Sequence, residues 1–134
     1  MILVDTSVWI SLLNGSLGKK VSENDLLEFA TTKPILQEVL QGISADRKRI
    51  WFKQLFLGIP RLADPVPLGC YLEAAEIYAR GTRQGYTIRS STDCLSAAIA
   101  IENHIPVWHS DRDFSAIARF TSLEAFERWD RTHL

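Results

Sequence analysis

The stretch that decides the fold is Ile2-Leu3-Val4-Asp5-Thr6-Ser7, close to the start of the chain. Three consecutive apolar residues are typical of a short strand that is buried on both faces, as in a parallel sheet covered by helices. Asp5, Thr6 and Ser7 are residue types that favour helix N-termini, so the strand is predicted to pass directly into a helix. That helix is predicted to end at Asn14-Gly15.

Strand and helix signals alternate along the rest of the chain. Apolar residues at helical spacing within residues 35–43, 47–56, 68–79, 95–101 and 114–118 predict further helices, and residues 106–109 are a strand candidate. The pattern of residues 26–30 does not decide their secondary structure, and a strand is one interpretation of it. Thr31-Thr32-Lys33-Pro34 and Ser90-Ser91-Thr92 are typical of helix starts. Because parallel strands need crossover connections, this alternation predicts an α/β fold with a mainly parallel central sheet.

Length and composition limit the class of protein. The chain has 134 residues, 46% of them hydrophobic, which is enough for one domain with its own core. Its 15 basic and 16 acidic residues give a net charge of −1, so no overall basic field draws it to nucleic acid or to an anionic membrane. The longest apolar run, residues 97–101, is too short to span a membrane. We therefore expect a cytoplasmic protein in which Cys70 and Cys94 are reduced.

Four acidic residues are predicted to meet at one edge of the sheet. Asp5 follows the first strand and Asp111 follows the last predicted strand, and the carboxyl ends of parallel strands lie at the same edge. Glu38 and Asp93 lie in the opening turns of helices, which begin at that edge when they follow a strand. Four carboxylates from remote parts of the chain are therefore expected to converge there.

Converging carboxylates repel one another unless a cation neutralises them. Carboxylate oxygens and water are the ligands preferred by Mg²⁺ or Mn²⁺, and no His or Cys spacing typical of zinc occurs. A hard cation with open water positions favours hydrolysis of a phosphodiester bond. The pattern also leaves other interpretations open. Asp5 alone is as well explained as a helix cap, and Asp93 alone is better explained as a first-turn carboxylate on a helix dipole. Asp113 competes with Asp111 as the functional acid, and the other of the two is expected to cap the last helix.

Four motifs occur in an order that is similar to a known family: Met1-Ile2-Leu3-Val4-Asp5-Thr6-Ser7-Val8-Trp9-Ile10, Pro34-Ile35-Leu36-Gln37-Glu38-Val39-Leu40-Gln41-Gly42, Thr92-Asp93-Cys94-Leu95-Ser96-Ala97-Ala98 and His109-Ser110-Asp111-Arg112-Asp113-Phe114. The chain closely resembles the PIN-domain ribonucleases, in particular the VapC-type toxins of bacterial toxin–antitoxin pairs. The resemblance covers essentially the whole length.

The resemblance implies a three-layer α/β/α domain formed by residues 1–134 and a Mg²⁺-dependent endoribonuclease site, with Mn²⁺ as an alternative ion. It implies that Asp5, Glu38, Asp93 and Asp111 are the catalytic carboxylates. Among them, Asp5 and Asp93 are the direct metal ligands. Ser7 matches the hydroxyl residue that supports the cluster, and Thr6 is a further hydroxyl beside it.

The resemblance also implies partners. Such proteins are usually homodimers, held as heterotetramers or larger assemblies by a VapB-like antitoxin that places a basic side chain in the acidic site. Arg89 and Arg112 are nearest in sequence to Asp93 and Asp111 and are our candidates for contacts with RNA phosphates. The aromatic residues near the first helices belong either to the core or to an antitoxin groove; they are Trp9, Trp51, Phe52 and Phe56.

Three rival functions are weighed against this interpretation. A phosphatase with Asp5 as nucleophile needs an acid at position 7, where this chain has Ser7. A receiver domain needs adjacent acidic residues after the first strand, and Asp5-Thr6 supplies one. The alternative that the sequence leaves open is a catalytically silent PIN-like module that binds RNA or protein.

Overall fold

The computed structural model describes residues 1–15 and 21–133, apart from the side chain of Arg131. A four-stranded sheet runs through its centre. The strands are β1 (Ile2–Val4), β2 (Phe29–Ala30), β3 (Val107–Trp108) and β4 (Ala125–Phe126). The α-helices of the described residues are α1 (Thr6–Leu13), α2 (Lys33–Gly42), α3 (Asp46–Gly58), α4 (Leu68–Arg83), α5 (Ser91–Glu102) and α6 (Arg112–Phe120).

The sheet has the order β2-β1-β3-β4, and all of its strand pairs are parallel. Leu3 in β1 lies opposite Ala30 on one side and Val107 on the other, so the first strand of the chain is a central one. The connection from β1 to β2 leads towards one edge of the sheet, and the connection from β3 to β4 leads towards the opposite edge. Right-handed crossovers therefore place α1 and α6 on opposite faces of the sheet.

The helices form two layers. Helix α1 packs on α2, and α2 packs on α3, whereas α4, α5 and α6 pack on one another. The result is the predicted three-layer α/β/α architecture with a parallel sheet, and the fold prediction is confirmed. Within residues 1–15 and 21–133, no helix is both long and apolar enough to cross a membrane.

Aromatic side chains fill the core between the sheet and the layer that contains α1 and α3. Trp9, Phe29 and Phe52 are at most 1% exposed, and the Trp9 ring meets the other two edge-on at centroid distances of 5.9 and 5.6 Å. Phe56 is also buried, so three of the four aromatic residues with an open role belong to the core. Trp51 does not, because half of its surface remains exposed.

Helix starts follow the predicted capping residues. The side chains of Asp5, Thr32, Ser90 and Asp111 each accept a hydrogen bond from a backbone N–H in the first turn of α1, α2, α5 and α6, respectively. Each cap fixes where its helix leaves the sheet. We call the region beyond the carboxyl ends of β1, β2 and β3 the carboxyl edge; it begins at Asp5, Thr31 and His109.

Two elements differ from the predictions. β4 was not predicted, so Asp111 follows the third strand and not the last one. Residues 26–30 do not form one strand, because Asp25–Glu28 is a 3-10 helix and only Phe29–Ala30 pairs with β1. Neither difference moves the carboxyl edge, since β4 is parallel to β3.

Candidate functional site

Three carboxylates from three separate elements meet at the carboxyl edge. Asp5 follows β1, Asp93 lies in the first turn of α5, and Asp111 precedes α6. One carboxylate oxygen from each residue lies within 4.8 Å of the other two. We call this group the acidic cluster.

Asp5 is 2% exposed, and its two carboxylate oxygens have different surroundings. Oδ2 accepts hydrogen bonds from the Ser7 hydroxyl at 2.6 Å and from the Ser7 backbone N–H at 3.1 Å. Oδ1 is buried and has no hydrogen-bond partner among the residues that the structure describes. Burial raises the pKa of Asp5 in spite of the hydrogen bonds from Ser7, so a nearby positive charge would favour its ionised form.

Asp93 is 3% exposed, and its Oδ2 atom likewise has no partner within the described part of the chain. Burial, followed by the nearby charges of Asp5 and Asp111, raises the pKa of Asp93 to about 10. Without a cation, the acidic cluster therefore retains a proton at neutral pH. The backbone N–H of Asp93 donates to Ser90 Oγ at 3.3 Å, and this hydrogen bond fixes Asp93 at the start of α5.

Glu38 lies on α2, beside the acidic cluster and not within it. Its Oε1 atom accepts a 2.8 Å hydrogen bond from the Thr6 hydroxyl. Burial raises the pKa of Glu38, and the charges of Asp5 and Asp111 raise it further, so the protonation of Glu38 is coupled to the charge of the acidic cluster. The fourth predicted carboxylate is thus at the rim of the site, held there by Thr6.

Asp111 and Asp113, which follow β3, could not be distinguished from the sequence, and the structure gives them different surroundings. Asp111 belongs to the acidic cluster and also caps α6, because its Oδ1 atom accepts from the Asp113 N–H at 2.8 Å. Asp113 is buried outside the cluster, and its Oδ2 atom accepts from the backbone N–H groups of Arg89 and Ser90. Asp111 is therefore both the cap of α6 and a member of the acidic cluster, whereas Asp113 is neither.

Comparison with known proteins gives the family. The sequence of residues 2–120 matches the family described as PIN domain. The chain belongs to the PIN-domain family. VapC ribonuclease Mb1587 of Mycobacterium bovis and ribonuclease VapC11 of Mycobacterium tuberculosis are each 35% identical to it over 131 residues, which is 93% of this chain and 97% of each relative. The fold is similar to that of VapBC-5, a toxin–antitoxin system of M. tuberculosis, with a TM-score of 0.65, 23% identity and coverage of 94% and 97%.

Ser7 links two strand ends of this PIN domain. Its hydroxyl donates to Asp5 and accepts a 3.0 Å hydrogen bond from the Ser110 backbone N–H. The neighbouring Asp111 N–H donates to His109 Nδ1 at 3.2 Å. The residues after β1 and β3 are therefore joined by side-chain hydrogen bonds as well as by the sheet.

Arg89 and Arg112 flank the acidic cluster in sequence and are exposed. Within the described residues, neither guanidinium lies within 4.0 Å of a carboxylate oxygen. Both charges are therefore available to a ligand in solution.

The cluster has the properties of a site for a hard divalent cation. All of its donors are oxygens, which suit Mg²⁺ or Mn²⁺. Buried carboxylate oxygens without a donor are costly, and two of them, Asp5 Oδ1 and Asp93 Oδ2, belong to this cluster. A cation would satisfy both oxygens and would replace the proton that Asp93 otherwise retains.

Some contacts of the PIN-domain site could not be found from sequence. Thr6 is in the first motif, yet its partner Glu38 lies 32 residues away. Asp113 binds backbone amides, which have no signature in an amino-acid sequence. Only its position two residues after Asp111 marks it as a residue near the site.

Proposed function

We propose that this PIN-domain protein is the toxin of a VapBC-type toxin–antitoxin pair and hydrolyses RNA phosphodiester bonds with Mg²⁺ as cofactor. Its membership of the PIN-domain family and its identity with VapC ribonucleases support an endoribonuclease. The observation that carries the metal requirement is the acidic cluster, in which buried oxygens of Asp5 and Asp93 have no donor among the described residues.

Asp5 and Asp93 are the residues that would hold Mg²⁺ or Mn²⁺ directly. Asp111 completes the cluster, and Glu38 is suited to bind through water because it lies at the rim. A bound cation of this kind lowers the pKa of a water molecule and stabilises negative charge on a phosphoryl oxygen.

The other residues orient this machinery. Ser7 donates to Asp5 Oδ2, so Oδ1, which has no partner among the described residues, would be the oxygen that binds the cation. Thr6 fixes the carboxylate of Glu38. Arg89 and Arg112 are proposed to bind RNA phosphates, and their exposure without an ion-pair partner in the described chain supports that role. None of the three histidines is assigned a proton-transfer step.

Attack by water, and not by the neighbouring 2′-hydroxyl, determines the products. The phosphate then remains on the 5′ end of the downstream fragment, and the upstream fragment ends in a 3′-hydroxyl. A 2′,3′-cyclic phosphate among the products would be incompatible with this mechanism.

The partners follow from the same family. We propose that residues 1–134 act as one cytoplasmic domain that forms a homodimer and binds a VapB-like antitoxin in heterotetramers or larger assemblies. An acidic cluster in which two buried carboxylate oxygens have no donor among the described residues is a suitable site for a basic side chain of such an antitoxin.

The test is RNA cleavage by the purified chain, free of antitoxin, in Mg²⁺ and in EDTA, followed by sequencing of the cleaved ends. We expect discrete cuts with 5′-phosphates in Mg²⁺, no cuts in EDTA and none with Asp93→Asn. A folded chain that binds Mn²⁺ but cuts no cellular RNA would favour a catalytically silent module that binds RNA or protein.

A further inference from the structure

Asp113 is a buried carboxylate whose role the proposed mechanism does not explain. It is 3% exposed and lies in the first turn of α6. A single oxygen, Oδ2, accepts the backbone N–H of Arg89 at 3.0 Å and that of Ser90 at 2.9 Å. The carboxylate of one helix therefore fixes the residues that lead into another helix, α5.

The backbone and the side chain of Asp113 are connected by hydrogen bonds to two different members of the acidic cluster. Its backbone N–H donates to Asp111 Oδ1 at 2.8 Å. Its carboxylate binds Ser90, whose hydroxyl oxygen in turn accepts the Asp93 N–H at 3.3 Å. A continuous path of hydrogen bonds thus joins Asp111 to Asp93 through Asp113 and Ser90.

Backbone amides, and no ion pair within the described chain, satisfy the buried carboxyl group of Asp113. Within the described chain it makes no ion pair, and it is not a member of the acidic cluster. Its side chain accepts hydrogen bonds from backbone amides, and a neutral amide oxygen can accept such bonds equally well. The fold therefore uses a side-chain acceptor at position 113, with the size of aspartate and with its oxygen where Asp113 Oδ2 lies.

We propose that Asp113 is a positioning residue that fixes Asp93 relative to Asp111 by holding the start of α5, and that it is not a metal ligand. The proposal rests on the proposed function only for its consequence in catalysis. The spacing of the cluster oxygens depends on two helix starts, and Asp113 is the residue that contacts both of them. Misplacement of a catalytic group by about 1 Å is enough to lower a rate about 100-fold.

The test compares Asp113→Asn, which keeps an acceptor oxygen, with Asp113→Ala, which removes it. For Asp113→Asn we expect RNA cleavage within about threefold of the unaltered chain, since the amide oxygen still accepts both N–H groups. For Asp113→Ala we expect kcat to fall about 100-fold with little change in KM for RNA. Mn²⁺ binding, followed by calorimetry, should weaken in Asp113→Ala and not in Asp113→Asn.

Amide hydrogen exchange in the metal-free chain gives a measurement that does not depend on activity. The Arg89 and Ser90 amides should exchange faster in Asp113→Ala than in the unaltered chain and should stay protected in Asp113→Asn. If the unaltered chain cuts no RNA, the proposed function fails, while exchange and Mn²⁺ binding still test the positioning role.

Two results would overturn the proposal. Loss of Mn²⁺ binding and of cleavage in Asp113→Asn, to the level of Asp93→Asn, would make Asp113 a ligand whose charge is needed. Unchanged exchange and activity in Asp113→Ala would mean that its acceptor has no role. If Asp113→Ala does not fold, Asp113→Glu replaces it: the charge is kept but the oxygen is displaced, so a positioning role predicts reduced kcat and an unaltered kcat contradicts it.

Discussion

Ser7 shows how one small side chain organises several groups at the carboxyl edge. Its hydroxyl donates to Asp5 at 2.6 Å and accepts from the Ser110 N–H at 3.0 Å. An apolar residue of similar size would leave Asp5 Oδ2 with the backbone N–H of residue 7 alone and would remove the acceptor of the Ser110 N–H. Hydrogen bonds to ionised groups contribute about 1.5–3 kcal/mol each, so the contact with Asp5 is the larger of the two.

We therefore expect Ser7→Ala to lower kcat for RNA cleavage by about 10- to 100-fold, the rate equivalent of that hydrogen bond. Ser7→Thr keeps the hydroxyl and should retain most of the activity. Kinetics with a single RNA substrate at saturating Mg²⁺ measure both values. Equal activity of the alanine and threonine variants would show that the hydroxyl does not support the cluster.

Asp93 makes the stability of the metal-free chain depend on pH. Its usual pKa is 3.8, and in the folded chain it is about 10, so between these values the folded state binds a proton that the unfolded state releases. Stability is therefore greatest below pH 3.8 as far as this group is concerned, and it is lost as the pH rises towards 10. Mg²⁺ should stabilise the chain more at high pH, because the cation then has to displace a proton from a smaller fraction of the Asp93 carboxyl groups.

In EDTA, the melting temperature should fall from pH 7 to pH 9, a range in which His109, whose pKa burial lowers, stays neutral. Asp93→Asn cannot ionise and should show a smaller fall. Thermal melts of both proteins over this range are the measurement. A steeper fall in Asp93→Asn than in the unaltered chain would assign the pH dependence to other groups.

At the scale of elements, α4 lies close against its neighbours at Gly81. A Cβ atom at this position would lie 2.6 Å from Ile88 Cδ1 and 3.0 Å from Phe120 Cζ. Phe120 ends α6, and its ring also stacks on Tyr86 at a centroid distance of 5.4 Å. The absence of a side chain on α4 thus lets the layer of α4, α5 and α6 close over this aromatic pair.

Gly81→Ala should lower the free energy of unfolding by about 1–3 kcal/mol through overpacking, although alanine inside a helix is ordinarily about 1 kcal/mol better than glycine. Gly69→Ala is the control, because Gly69 lies in the same helix and its Cβ would meet nothing within 4 Å. Urea denaturation of both variants measures the difference. Gly81→Ala as stable as Gly69→Ala would show that Ile88 and Phe120 adjust without cost.

The elements that the sequence revealed best are those with local signals. Thr32, Ser90 and Asp111 are helix caps, and each is recognisable because a capping side chain bonds to an N–H a few residues away. β4 has no such signal, since Ala125–Phe126 is a two-residue strand and both residues are only half-buried. Its pairing depends on the free edge of β3, which is a property of the assembled sheet.

At the scale of the whole molecule, the acidic cluster was predictable because strand ends share one edge of a parallel sheet. That rule places Asp5 and Asp111 together without any knowledge of distances. It does not separate Glu38, at the rim, from Asp93, inside the cluster. Asp93 lies in the first turn of α5 whereas Glu38 lies in the second turn of α2, and a rule about strand ends does not include this difference.

Helix α3 presents the surface that we expect an antitoxin to cover. Ile50, Trp51 and Leu57 are 58%, 51% and 75% exposed on its outer side, while Phe52 and Phe56 are buried. Apolar side chains grouped on one helix are typical of a surface that binds a partner helix. On binding the cognate antitoxin, the amides of Asp46–Gly58 should become protected from hydrogen exchange, with α5 as an internal reference. A complex that leaves Asp46–Gly58 as exchangeable as in the free chain would contradict this.

The strand order has a consequence for synthesis. β1 is made first but lies between β2 and β3, and the carboxylates of the cluster are contributed by residues 5, 93 and 111. A nascent chain that has not reached Asp111 therefore lacks the complete acidic cluster. Under the proposed function, the ribosome and the messenger RNA that produce the chain are exposed to RNA cleavage only after Asp111 has been translated and has left the ribosome.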